Sequence, residues 1–353
     1  MSDTAPSGAD VEEIDSGVWS IRVPMPGHPL RASFCYAYVG DDGATTVIDP
    51  GWPTEHSWSE LRGALQRIGS APERTASILL THAHRDHSGL AGRLAAASGA
   101  TVALHRDDRA LLARKGPEHQ DRVRDWLAVV GAPHGEDGQA TSLVPDLPQL
   151  PEQVRSDRCL EDGDVVPVAS GELIVHWTPG HTPGHVCFQD VDRGLLFTGD
   201  HVLPRITPNI SSMVGHSTSA LGDYLRSLVK VGGLVVERAL PGHEHAFSGV
   251  AARAAELIEH HRQRLEEILT LLARTSQRTT LEIARELTWS RRWEQITGLQ
   301  QRAALGEVMS HLYFLHTIGA VRARTGDSPI VWSLSSSEAL SEAWIRSAYD
   351  VAM

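Results

Sequence analysis

The sequence predicts a layered α/β fold followed by a smaller, mainly helical domain. From residue 18 to about residue 104, short β-branched runs alternate with helical stretches, among them residues 55–68 and 89–97. Side chains able to bind a metal follow several of these runs directly. After His243 the pattern becomes helical, and a chain of 353 residues exceeds the size at which one core keeps growing. We therefore expect two domains.

The composition and the N-terminal residues bear on location. Residues 1–15 are acidic and polar, so we expect a flexible tail without the basic and apolar regions of an export signal. No apolar run approaches the roughly 18 residues that span a membrane. The three cysteines lack CxxC spacing and are expected to be reduced. The sequence thus predicts a cytoplasmic protein with no membrane segment.

The segment THAHRDHSG places four potential metal ligands within six residues, directly after the apolar run 77–80. His82 and His84, at i and i+2 of an extended strand end, lie on the same side and can bind one ion. Asp86 and His87 follow once the chain turns, and can face a second ion. A lone HxH pair is often structural, but four such side chains together predict a metal site.

Three later turns supply the further ligands that a site for two metals needs. His181, Asp200 and His243 each follow an apolar, strand-like run, and glycine accompanies each of them in the turn. Each potential ligand is therefore predicted where a buried strand runs out into a loop. This is the expected place for a site built on a rigid scaffold.

Taken in order, the motif HxHxDH, a Gly-His turn, a Gly-Asp turn and a last Gly-His resemble the metallo-β-lactamase superfamily over about residues 16–250. The resemblance implies an αββα sandwich for this part of the chain. It also implies a dinuclear metal site. The first metal would be bound by His82, His84 and His181. The second would be bound by Asp86, His87 and His243, with Asp200 bridging the two.

Several residues near these ligands are not expected to bind metal themselves. The resemblance implies that Asp49 orients the site by hydrogen bonding. His185 follows His181 by four residues and is expected to hydrogen-bond within that turn. His201 and His245, each beside a ligand, are expected to support the ligands or to face solvent.

The ligand set predicts hydrolysis. Two cations about 3.5 to 4 Å apart lower the pKa of a shared water to near neutrality, so no serine or cysteine nucleophile is needed. Asp86 or Asp200 can accept a proton as the tetrahedral intermediate collapses. Zinc is the expected divalent metal, although histidine and carboxylate ligands also admit manganese or iron.

Residues 106–157 interrupt the α/β alternation with two charged helical stretches, 106–115 and 119–130, and a loop rich in proline, glycine and aspartate. An insertion here is expected to form a lid over the metal cleft and to shape the substrate pocket. A solvated excursion with no part in the site is the alternative.

The C-terminal part is predicted as a linking helix, residues 251–275, and a small domain, residues 276–353. Apolar side chains recur with helical spacing across the linking helix, at Leu265, Ile268, Leu269 and Leu272. The small domain shows a capping box at Thr279 and Glu282, a second helix stopping at Gly319, and a hairpin. This order resembles the winged-helix domain of one superfamily branch, which includes β-lactamase-like endoribonucleases and polyketide-releasing thioesterases.

A winged helix raises the question of nucleic acid. Acidic residues outnumber basic ones by 44 to 32, a net charge of −12, which opposes binding to phosphates. Only Arg302, Arg322 and Arg324 offer positive charge on the second helix and the wing. Nucleic acid is therefore not the expected partner. We expect this domain to pack against the pocket or to form a subunit interface, with a homodimer left open.

Three functions remain open. The leading expectation is hydrolysis of a small ester-type substrate, namely a thioester, lactone or ester. The alternatives are a metal-dependent endoribonuclease or other phosphodiesterase, which needs a basic path to the metals, and an iron-dependent sulfur dioxygenase, which iron in the purified protein would favour. β-Lactamase activity is not expected, because the chain shows no periplasmic signal.

Overall fold

Two β-sheets and the helices on their outer faces make up most of the molecule. The computed structural model describes residues 10–112, 117–132, 154, 156–212, 219–275, 277–324, 326 and 328–336, with the backbone alone for 117–120. The first sheet has seven strands in the order β1 to β7. They are β1 Val11–Asp15, β2 Val18–Pro24, β3 Ala32–Val39, β4 Thr45–Ile48, β5 Thr75–Leu79, β6 Thr101–His105 and β7 Arg158–Leu160.

The second sheet has five strands in the order β12-β11-β10-β9-β8. They are β8 Val165–Val168, β9 Gly171–Trp177, β10 Val186–Asp190, β11 Leu195–Gly199 and β12 Arg238–Pro241. The helices beside the two sheets are α1 Glu55–Arg67, α2 Arg85–Ser88, α3 Ala91–Ser98, α4 Arg106–Leu112, α5 Pro117–Val130, α6 Ala220–Gly232 and α7 Val250–Arg274. Parallel pairing of β4, β5 and β6 brings the ends of these three strands to one edge.

Three apolar layers hold the sandwich together. Between the sheets, Tyr38 of β3 packs with Phe188 of β10 and Phe197 of β11. Leu61 of α1 belongs to a second layer, between the first sheet and its helices, and a third layer lies between the second sheet and α6 and α7. Most residues of β3 are buried on both faces because one face meets helices and the other meets the second sheet. The predicted αββα sandwich is confirmed.

The prediction that residues 1–15 form a flexible tail is wrong for residues 11–15. Val11–Asp15 forms β1, which pairs antiparallel with β2. Val11 packs into the layer beneath the helices, whereas Ile14 packs into the layer between the sheets. Because these two side chains point to opposite faces of the strand, the segment shows no one-sided apolar pattern in the sequence. Residues 1–9 lie outside the described part of the chain.

The insertion contains the two predicted helices, α4 and α5. In α5, Val123, Trp126 and Leu127 are buried in the apolar layer that also contains α6 and α7. The backbone N–H of Ile330 donates to the carbonyl of Val129, which ties this helix to the C-terminal hairpin. Most of the predicted loop, residues 133–153, lies outside the described residues, so its role as a lid stays a prediction.

The C-terminal unit, residues 277–336, has the predicted order of helix, helix and hairpin. Its elements are β13 Arg278–Thr279, α8 Thr280–Glu286, α9 Gly298–Thr317, β14 Val321–Arg324 and β15 Val331–Leu334. The capping box is present, since Thr279 and Glu282 exchange side-chain to backbone hydrogen bonds. The predicted linking helix corresponds to α7. It is not a free connector, because Leu257 and Leu269 are buried in one core shared with α6, α8 and α9.

Within the described ranges, no helix combines the length and the apolar composition that a bilayer crossing requires.

Candidate metal centre

His82, His84 and His181 bring three ring nitrogens together at the edge of the sandwich. Nδ1 of His84 lies 3.0 Å from Nε2 of His82 and 2.9 Å from Nε2 of His181. Tetrahedral zinc with Zn–N bonds of about 2.0–2.1 Å separates its nitrogen ligands by about 3.3 Å. The three imidazoles are thus already close to the spacing that one ion needs.

Asp86, His87, Asp200 and His243 form a second group beside the first. Oδ2 of Asp86 lies 3.2 Å from Nε2 of His243. Oδ1 of Asp200 lies 3.4 Å from Nε2 of His87 and 3.5 Å from Nε2 of His243. Two carboxylates and two imidazoles therefore converge on one point.

Asp200 faces both groups. Its Oδ1 belongs to the second group, whereas its Oδ2 lies 3.6 Å from Nε2 of His181 in the first. One oxygen is therefore available to each site, which is the geometry a bridging ligand requires. The structure brings together all seven predicted metal ligands.

Buried atoms without partners indicate a cation at the second group. Nε2 of His87, Oδ1 of Asp200 and Nε2 of His243 have no hydrogen-bond partner among the described residues. Leaving a buried polar atom unsatisfied costs about 1–3 kcal/mol. Three such atoms pointing at one place fit a bound metal ion, whose positive charge would satisfy all of them.

The electrostatics agree with this fit. Burial alone would lower the pKa of His243, but Asp200 and Asp86 raise it to about 10. Burial also opposes charge on His87, yet the neighbouring carboxylates raise its pKa well above the ordinary value. By contrast, burial lowers the pKa of His82 well below its usual range. In the metal-free protein the second group therefore holds protons that a divalent cation would displace.

Asp49 orients ligands of both groups, His87 directly and His82 through Thr81. The carboxylate accepts from Nδ1 of His87 at 2.8 Å, from the Thr81 backbone N–H at 2.8 Å, and from the Thr81 hydroxyl at 2.6 Å. Because the Thr81 hydroxyl donates its hydrogen to Asp49, it accepts from Nδ1 of His82, 3.0 Å away. Both imidazoles thus carry a hydrogen on Nδ1 and turn Nε2 towards the place that a metal would occupy.

Glycines in two of the turns permit this close packing. A Cβ on Gly242 would lie 2.4 Å from Cε1 of His87 and 2.7 Å from Oδ1 of Asp200. Gly199 has a φ of 48°, and a Cβ there would lie 2.7 Å from the Thr81 hydroxyl. A side chain at either position would therefore displace a ligand or its support.

The predicted non-ligand histidines lie in different environments. Nε2 of His185 accepts from the backbone N–H of Asp200 at 3.2 Å, and its Nδ1 lies 2.9 Å from the Thr178 hydroxyl. His185 therefore supports the bridging residue. His201 is fully buried, so it does not face solvent, whereas His245 is exposed.

Asp108 is a supporting residue that sequence reasoning did not identify. It lies on α4 with its side chain fully buried. Its carboxylate accepts from the backbone N–H of Ala83, from the backbone N–H of Gly184 and from the hydroxyl of Thr182, at 2.7, 2.7 and 2.8 Å. It thus joins the HxHxDH loop to the loop that carries His181. Burial raises the pKa of Asp108 to about 6.

Known proteins share both the sequence pattern and the fold. Lactamase-like protein nscB from Aspergillus fumigatus is 27% identical over 287 residues, which cover 80% of this chain and 69% of that protein. The protein named acyl-coenzyme A thioesterase MBLAC2 from Gallus gallus is 31% identical over 211 residues, covering 57% of this chain and 69% of that protein.

Solved structures extend the likeness to the whole architecture. The metallo-beta-lactamase family protein TTHA1429 from Thermus thermophilus is 28% identical with a TM-score of 0.77, covering 91% of this chain and 100% of that one. A beta-lactamase domain protein from Burkholderia ambifaria is 27% identical with a TM-score of 0.78, covering 94% and 96%. A family model described as the metallo-beta-lactamase superfamily matches residues 28–243. The chain therefore belongs to the metallo-beta-lactamase superfamily and is a metallo-hydrolase of that family.

Proposed function

We propose that this enzyme hydrolyses a small ester-type substrate, a thioester, lactone or ester, at a dinuclear centre. The observation that carries the proposal is Asp200, which directs one carboxylate oxygen to each ligand group. The similarity to a protein named as an acyl-coenzyme A thioesterase supports a thioester as the first substrate to assay. Zinc is the metal we propose, because three imidazoles at this spacing suit its tetrahedral geometry.

Each side chain has a proposed task. Two bound divalent ions would supply an acidified water and polarise the scissile bond. His82, His84 and His181 would hold one ion, and the second ion would be held by Asp86, His87 and His243. Asp200 would fix the distance between the ions. Asp86 or Asp200 would accept the proton released in the reaction.

The C-terminal unit has a winged-helix-like order, but its second helix is poorly placed for nucleic acid. From residue 301 to residue 315 of α9, every residue is buried or half-buried. Of the three arginines considered, Arg322 and Arg324 are exposed, whereas Arg302 is half-buried and desolvation lowers its pKa. A helix packed from residue 301 to residue 315 leaves only its two ends exposed and offers no free face along its length to a groove. We therefore propose that this unit supports the catalytic domain.

The proposal is tested by metal analysis of the purified protein together with a panel of acyl thioesters, lactones and an RNA oligonucleotide. We expect turnover of at least one ester-type substrate, loss of turnover in Asp200→Ala, and retention of the fold in that variant by circular dichroism. Most activity surviving in Asp200→Ala would contradict the bridging role. Cleavage of the RNA alone, or iron with oxygen consumption on a sulfur substrate, would favour a different reaction.

A further inference from the structure

Residues 209–212, here called the 209–212 segment, connect a metal ligand to parts of the chain that supply no ligand. Nδ1 of His181 lies 2.9 Å from the backbone carbonyl of Asn209. Since a carbonyl can only accept, the His181 hydrogen is on Nδ1 and its bare Nε2 points towards His84 and Asp200. The position of the Asn209 carbonyl therefore decides the orientation of His181.

Helix α9 holds both ends of this segment. The side-chain amide of Asn209 donates to the carbonyl of Ala303 at 3.3 Å. The backbone N–H of Ser212 donates to the carbonyl of Gly306, one turn further along the helix, at 3.0 Å. Ile210, between them, is fully buried in the core shared with α9. The segment thus lies against α9 in a fixed register.

Helix α5 of the insertion provides a further support. The indole Nε1 of Trp126 donates to the backbone carbonyl of Ser212 at 3.1 Å, and Trp126 is itself buried. The segment is therefore held by hydrogen bonds to the C-terminal unit and to the insertion. The orientation of His181 depends on both of these parts, because both fix the position of the Asn209 carbonyl.

We propose that the 209–212 segment positions His181 for metal binding, and that α9 and α5 set the position of the segment. Asn209 is then a positioning residue of the first metal site. A histidine ligand needs a partner on its other ring nitrogen, and loss of such a partner typically weakens metal binding about 10- to 100-fold. The inference rests on the proposed metal ligands, but it is independent of the substrate class.

The two sites can be separated by measuring zinc affinity in two backgrounds of the full-length protein. In a His87→Ala/His243→Ala background, only the first site keeps its histidines. Asn209→Ala keeps the backbone carbonyl but removes the amide that fixes it to Ala303, and should raise the zinc Kd by up to about 10-fold. In a His84→Ala background, where the second site is intact, Asn209→Ala should leave the zinc Kd unchanged. Chelator competition gives both constants without any assay of turnover.

A matched pair of tryptophan variants controls for general destabilisation. Trp126→Phe removes the indole donor to Ser212, whereas Trp332→Phe removes a buried indole donor to the Thr280 hydroxyl, inside the C-terminal unit. Both should lower the midpoint of thermal unfolding. Only Trp126→Phe should also weaken the first site and alter the absorption spectrum of cobalt bound there.

The outcomes are distinguishable. Equal zinc affinities for Asn209→Ala and its parent in the first-site background would overturn the proposal, as would equal losses in Trp126→Phe and Trp332→Phe. If the first-site background itself bound no zinc, the ligand assignment would be wrong and the inference would fall with it. If zinc binds as expected but no ester is hydrolysed, the substrate proposal fails while this inference stands.

Discussion

The backbone N–H of Asp200 donates a hydrogen bond to Nε2 of His185, and the two atoms lie 3.2 Å apart. His185 is fully buried, and burial lowers its pKa well below the ordinary value, so it stays neutral and keeps a lone pair for this contact. A histidine that binds no metal in our assignment thereby helps to hold the residue shared by both ligand groups.

Replacement of His185 should therefore leave the position of Asp200 less well fixed. We expect His185→Ala to reduce affinity for both ions by about 10-fold, because Asp200 serves both sites. Isothermal titration calorimetry with zinc measures the affinities of both sites. His176→Ala is the matched control, since His176 is a half-buried strand residue whose Nε2 contacts Gln189. Equal zinc affinities in the two variants would show that His185 has no supporting role.

Asp49→Asn should affect both sites as well. The carboxylate accepts three hydrogen bonds, from Thr81 twice and from His87, and an amide cannot accept all three because its nitrogen only donates. We expect zinc affinity to fall about 10- to 100-fold. Asp190→Asn removes another buried carboxylate, one that contacts Tyr38 and Arg193, and should destabilise the fold without weakening zinc binding. Wild-type zinc affinity in Asp49→Asn would refute the orienting role.

Asp108 predicts a pH dependence of stability in the metal-free protein. Burial raises the pKa of Asp108 to about 6 in the folded state, against about 4 when unfolded. The folded state therefore binds the Asp108 proton more tightly than the unfolded state does. The contribution of this proton to the free energy of unfolding is complete below about pH 4 and is lost as the pH rises through about 6.

The test compares wild type with Asp108→Asn, which cannot titrate. Between pH 5 and pH 7, wild type should lose about 1 kcal/mol of unfolding free energy relative to the variant. Denaturant unfolding in the presence of a chelator measures this difference, in which titrations common to both proteins cancel. A difference that does not change with pH would show that the Asp108 pKa is not raised.

The ligands could be predicted from the sequence because each lies in a short local motif at the end of a strand. Asp108 could not, since its donors on Ala83 and Gly184 lie 25 and 76 residues away along the chain. Thr81 stands next to His82, yet its hydroxyl gains a role only once the fold brings Asp49 to it. A threonine at the end of a strand that leads into HxH is the one sequence signal that could have suggested this role for Thr81.

The supporting parts of the fold were harder to predict than the sandwich. Strand β1 was missed because its two apolar residues, Val11 and Ile14, serve different layers. The bounds of α7 and the capping box of α8 follow from periodicity and from local hydrogen bonding, which a sequence displays directly. The link from His181 to α9 runs through a backbone carbonyl and a neutral amide, neither of which produces a recognisable motif.

The stoichiometry of metal binding tests the dinuclear centre most directly. Elemental analysis after reconstitution with zinc should give two ions per chain for the wild-type protein. His87→Ala and His243→Ala should each lose the second ion while retaining the first, which His82, His84 and His181 hold. A wild-type protein that binds one ion per chain under saturating zinc, and again under saturating manganese, would contradict the assignment of two sites that share Asp200.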